Sequence, residues 1–201
     1  MARHFSEDEK QIIKERLLNE GKKLLEIYGV KKTSVDKIIE KVGIAKGSFY
    51  NFYSSKESMV FELLMDIEVE LHKKEMEQLH KFLEEFEFPE ALKRTVWKSI
   101  DFIKEEPLLL IHKDPQLIYE IWSKISKKEK ARSVQQDQGK IDDLIGEAKQ
   151  RGYKLTVPAP VLNATLMSFF WIYVNHKMIG ESGIDALELI MGSTFEKIFV
   201  K

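Results

Sequence analysis

Apolar residues recur at helical spacing through almost the whole chain. Between Glu7 and Tyr28 they fall at Ile13, Leu17, Leu24, Leu25 and Tyr28, one face of a helix that Gly29 ends. Thr33, with Asp36 three residues on, reads as the N-cap and capping box of a second helix running to Val42, where Gly43 turns the chain. A third helix is expected from near Lys46 to near Tyr53. Ser54-Ser-Lys-Glu57 opens a fourth, carried by Met59, Leu63, Leu64, Ile67 and Leu71 towards residue 80. Past Pro89 the pattern predicts helices over about 89–105, 107–113, 115–125, 127–151, 158–180 and 184–200. Pro107, Pro115, the segment 152–160 and Gly180-Glu-Ser-Gly183 are the breaks. No stretch alternates with period two and none repeats. The fold expected is all-α: an N-terminal domain of three helices over residues 1–55, then a helical bundle over 56–201.

The second and third predicted helices stand apart from the rest. Ile38, Ile39 and Val42 on one would face Phe49 and Tyr53 on the other, closing a small core with Leu17, Leu24 and Tyr28. That leaves a short helix with an aromatic back and a small, polar front of Lys46, Gly47, Ser48 and Asn51. Two helices joined by a glycine turn in this way form a helix-turn-helix, whose second helix can enter a DNA major groove. Lysine reaches a guanine edge or a phosphate, glycine permits close backbone approach, serine bonds base or phosphate, and asparagine suits adenine. Thr33, Tyr50 and Lys56 are placed for phosphate oxygens.

Charge adds modest support. The chain of 201 residues has a formal net charge of −1, but residues 1–60 hold 12 Lys/Arg against 9 Asp/Glu, a net of +3. A basic small lobe on an acidic body suits a protein that meets phosphate through one end. The Lys124–Arg132 run reads as a solvated helix start. There is no cysteine, so disulfides and thiolate metal sites are excluded. The opening residues are polar, and the longest near-apolar run, Ala164 to Val174, is short for a membrane span. The expectation is a cytoplasmic protein without membrane contact.

The segment from Gly29 to Met59 resembles the N-terminal domain of the tetracycline-repressor (TetR) family of bacterial regulators. The resemblance rests on Gly29, Thr33-Ser-Val35, Ile38, Val42-Gly-Ile44, Lys46-Gly-Ser-Phe-Tyr50, Tyr53 and Ser55-Lys-Glu57, in one ungapped register. It implies that Lys46, Gly47, Ser48 and Asn51 meet bases, and that Thr33, Tyr50 and Lys56 meet phosphates. Three departures stand out. Ala45 occupies the helix N-cap where the family often has Ser or Thr, and Phe52 a spot where a polar residue is common. Ile39 and Val42 replace alanines, for which Gly21 would make room.

Residues 60–201 carry no motif, as is usual for the regulatory domains of that family. The 158–180 helix is apolar nearly all round, so one face needs a partner beyond its own core. Leu166 and Phe170 there, with Leu187, Met191, Phe195 and Ile198 on the last helix, are the expected faces of a four-helix homodimer interface, the alternative being a monomer core. A dimer would read a palindromic double-stranded operator through two half-sites. Trp97, Phe102, His112, Tyr119, Trp122, Phe169 and Tyr173 are candidates to line a pocket for an unidentified small apolar or aromatic effector, ordinary core packing being the bland reading. Asp101 and Glu120 are expected to face solvent.

The five histidines are scattered, and no hydrolase, metal or phosphate-loop motif appears, so neither an enzyme nor a cofactor or metal is expected. The leading reading is a homodimeric DNA-binding regulator, a repressor released by its ligand. The rivals are an architectural DNA-binding protein without ligand response, and a carrier or enzyme whose helix-turn-helix is only structural.

Overall fold

The computed structural model describes residues 6–201; the polar start from Met1 to Phe5, part of the reading of the opening residues, lies outside it. Ten α-helices follow in order, with a 3-10 turn over Pro107–Lys113 and two short strands: α1 (Glu7–Lys32), α2 (Val35–Val42), α3 (Lys46–Phe49), α4 (Lys56–Phe82), α5 (Phe88–Glu105), α6 (Pro115–Lys124), α7 (Lys127–Gln150), β1 (Lys154–Leu155), α8 (Ala159–Val174), α9 (His176–Ile179), α10 (Gly183–Ile198) and β2 (Phe199–Val200). The chain divides into two compact units. One holds the residues up to Asp66 with Gln116–Lys127, the other Ile67–Pro115 with Lys128–Lys201. The all-α fold is the one expected.

In the first unit α1 packs on α2 and α2 on α3. Ser6 caps α1 through a reciprocal box with Glu9. Gly29, at φ 75°, breaks the helical path where the sequence pattern stops. Gly43, at φ 74° and ψ 39°, takes the left-handed conformation that ends α2 and re-aims the chain, a conformation that costs a residue with a Cβ. Leu17, Leu24, Ile38, Val42, Phe49 and Tyr53 are buried, as the small core requires. Tyr28 is not; it stays exposed, its ring covered by the Lys37 ammonium at 4.9 Å.

Two details differ from expectation. The cap of α2 is Ser34, whose Oγ accepts from the Lys37 N–H, and Thr33 instead ends α1. Gly21 makes room for the far end of Met59 on α4 and not for α2: a Cβ at Gly21 would stand 2.7 Å from Met59 Cε.

The second unit has one apolar core, drawn from α4, α5, α7, α8, α10 and the strands: Leu79, Phe88, Leu92, Leu144, Tyr153, Leu162, Phe169, Leu187, Met191, Phe195 and Phe199 among others. α10 packs on both α5 and α8. The two strands pair antiparallel, Lys154 with Val200 and Leu155 with Phe199, too short to leave an alternating signature. The expected 158–180 helix is interrupted at Asn175, giving α8 and the four-residue α9. No helix among the described residues is long and apolar enough to cross a membrane.

Candidate nucleic-acid interface

The front of α3 is built from its back. Phe49 is fully buried, its ring 5.7 Å from Tyr53 and 5.4 Å, edge on, from Tyr50. These contacts fix the rotation of a helix only four residues long, which has too few internal hydrogen bonds to hold itself. Ala45 stands at the N-cap without a side-chain hydrogen bond. The helix ends sooner than predicted, and residues 50–52 continue as a turn with the Asn51 N–H bonded to the Ser48 carbonyl.

With the back fixed, Lys46, Gly47, Tyr50 and Asn51 are exposed and Ser48 is half-buried. Nothing lies within 4 Å of the space a Gly47 Cβ would fill, so the backbone there is open to close approach. Lys46 is not idle: its ammonium sits 2.9 and 3.1 Å from the two carboxylate oxygens of Asp36 on α2. That bond raises the Lys46 pKa above its ordinary value. Asp36 escaped the sequence reading as a partner, because ten residues separate it from Lys46.

The other two polar positions turn out to be braced inward. Thr33 is buried, and its hydroxyl donates within reach of both the Gly29 and Leu24 carbonyls, at 2.9 and 3.2 Å. The Lys56 ammonium donates to the Val30 carbonyl at 2.6 Å and to that of Thr33 at 3.0 Å. It thereby closes the orphan carbonyls at the end of α1. The sequence expectation of outward phosphate contacts passes over this inward work. The Tyr53 hydroxyl is buried, and burial, followed by the charge of Glu62, pushes its ionisation far up.

The residues proposed to line a pocket divide between the units. Trp97, Phe102, His112, Phe169 and Tyr173 belong to the second, Tyr119 and Trp122 to the first, where both are exposed and Trp122 rests edge-on near Phe61. Phe169 is buried core, and Trp97 and Tyr173 pack against that core. His112 meets the edges of Phe170 and Trp171 at 5.2 and 6.4 Å. Burial pulls its pKa below the usual imidazole value, against the raising effect of Glu68.

A polar row beside it was missed in sequence. Lys140 on α7 pairs with Glu68 on α4 at 2.9 Å, His72 with Asp143 at 3.0 Å, and His80 with Glu147 at 2.9 Å. Burial raises the pKa of Glu75 on the same stretch of α4. Glu68, His72 and Glu75 share the helical face of the buried Leu79, and polar residues on an inward face were the available signal. No group of three or more His, Asp or Glu among the described residues is placed to hold a metal.

The expected dimer stripe on α10 needs correction. Leu187, Met191 and Phe195 are 1%, 0% and 1% exposed, inside the core of their own unit, while Leu189 and Ile190 are 76% and 44% exposed. Leu166 and Ile198 lean on the same core and Phe170 on His112. The outward apolar positions are instead Val161, Met167 and Trp171 on α8 with Leu189 and Ile190 on α10.

Residues 17–63 match the family model described as bacterial regulatory proteins, tetR family. No curated protein matches the chain. Solved structures share the fold at low identity. A TetR family transcription regulator from Marinobacter aquaeolei VT8 aligns at 16% identity and TM-score 0.58, over 98% of this chain and 100% of that one. The fatty acid degradation regulator FadR from Bacillus halodurans aligns at 16% and 0.55, over 90% and 98%. The superantigen PfiT aligns at 16% and 0.52, over 93% and 96%, so the architecture is not tied to one activity. Residues 17–63 thus form an N-terminal domain of the tetR-family type, and the chain as a whole shares the fold of these solved structures.

Proposed function

We propose that the chain is a homodimeric, sequence-specific DNA-binding transcriptional regulator, acting as a repressor that a small apolar or aromatic molecule releases from its operator. The observation that carries this is α3: an aromatic back sunk in the core beneath an exposed front of Lys46, Gly47 and Asn51. Such a surface offers base-reading donors and acceptors on a rotation fixed from behind. Tyr50 and the remaining hydrogen of the Lys56 ammonium serve phosphate. Thr33 acts by shaping the corner between α1 and α2.

One such helix reads only a few base pairs, so useful selectivity needs two. The exposed Val161, Met167 and Trp171 on α8, with Leu189 and Ile190 on the adjoining α10, supply an apolar face of the kind a second copy covers. In the second unit His112, kept neutral by burial and flanked by Phe170 and Trp171, is the polar point around which an aromatic ligand would be oriented. Ligand and DNA then prefer different separations of the two α3 helices, and each weakens binding of the other.

The test is a gel shift of the chain's own upstream region against random duplex at rising salt. Selective, salt-sensitive binding by a dimer is the expected result. Equal affinity for all duplexes, or a monomer at working concentration, would overturn the reading.

A further inference from the structure

Asp36 on α2 is an acidic side chain bonded to the exposed front of α3. It holds Lys46 through both carboxylate oxygens, at 2.9 and 3.1 Å. The two side chains remain 67% and 53% exposed, so their contact is worth little to the fold and leaves lone pairs and N–H groups pointing to solvent. A carboxylate at this place is a poor neighbour for phosphate, which repels it. A base edge is different. In a C·G pair the cytosine N4 amino group donates and guanine O6 and N7 accept, side by side in the major groove. The Asp36–Lys46 pair offers the complementary arrangement, an acceptor beside a donor, already held at hydrogen-bond distance.

Resting on the DNA-reading function above, we propose that Asp36 is a specificity-determining residue that, as one unit with Lys46, reads a C·G base pair. The Asp36 carboxylate accepts from cytosine N4 and the Lys46 ammonium donates to guanine O6 or N7. The pair excludes T·A, whose O4 would face the carboxylate, and it blunts the attraction of Lys46 for phosphate on unrelated sequences. It places part of the reading on α2, outside the helix that the sequence pattern singles out.

Selection from a randomised duplex pool tests this with the full-length protein, its Asp36→Asn and Lys46→Gln variants and the double variant, all checked for unchanged melting temperature. Wild type is expected to select half-sites with C·G fixed at one position. Each single variant should lose roughly ten- to hundred-fold preference at that position alone. The double variant should be no worse than the poorer single one, as for two residues acting on one base pair. Exchanging that pair for T·A in the selected duplex should weaken wild type by the same factor, a reading that needs no variant. Uniformly tighter binding by Asp36→Asn with preferences intact would overturn the proposal, since Asp36 would then only screen Lys46; so would two variants that change different positions. Selective binding by wild type with Asp36→Asn indistinguishable from it sinks this proposal and leaves the regulator standing. Folded wild type with no selectivity sinks both.

Discussion

The helix-turn-helix corner of the first unit and the polar row of the second hold their charged groups in different ways. At the corner, Lys46 bonds Asp36 and Lys56 the carbonyls of Val30 and Thr33, all within residues 30–56. In the second, the polar row joins residues about seventy apart, Glu68 to Lys140, His72 to Asp143 and His80 to Glu147. A surface made from one short stretch is specified by caps, a turn glycine and an aromatic anchor. A polar row assembled from distant stretches depends on the whole packing, and its chemistry follows from the fold.

The strongest way to test that contrast is to remove one anchor from each unit. Phe49→Ala and Phe195→Ala both empty a fully buried aromatic site and should each cost about 3–5 kcal/mol in denaturant unfolding. Hydrogen exchange should then separate them: Phe49→Ala lowers protection in α2 and α3 and abolishes DNA binding, while Phe195→Ala lowers it in α8 and α10. Equal loss throughout both units for either variant would break the comparison.

Asn51→Ala sharpens it from the other side. The residue is exposed, so melting should be unchanged while selective DNA affinity falls by about 1–3 kcal/mol in a titration against operator and random duplex. A smaller gain is expected at the uncapped start of α3. Ala45→Ser supplies the missing acceptor and should stabilise the first unit by about 1 kcal/mol, read as a shift in the denaturant midpoint.

The smallest effect is a dependence on pH. The folded-state pKa of His112 lies below its unfolded value of about 6.5, so between the two the unfolded chain binds the extra proton. The His112 contribution to stability is therefore intact above pH 6.5 and is lost as pH falls through it. Stability measured at pH 7.5 and 5.5 should drop for the wild type by more than for His112→Phe; an equal drop would remove the desolvated imidazole from the account.

Helix limits were legible because Gly29, Gly43, Pro107 and Pro115 interrupt the path where the periodicity stops. The front of α3 was legible because its residue types alternate sharply between aromatic and small. The inward side of α10 was not: Ile184, Leu187, Leu189, Ile190, Met191, Phe195 and Ile198 spread around more than half its circumference, and spacing alone cannot choose the buried stripe. Nor could it find Asp36 beside Lys46, which needs the angle between two helices. The break at Asn175 and the two-residue sheet were invisible for a related reason, being settled by packing of the surrounding unit.

The Lys56 ammonium has a mechanical consequence. It sits on the first residue of α4 and grips two carbonyls at the corner where α1 gives way to α2. A twist or slide of the opening turn of α4 cannot leave that corner behind without breaking two bonds to a cation, so the corner travels with it, as a door follows its hinge pin.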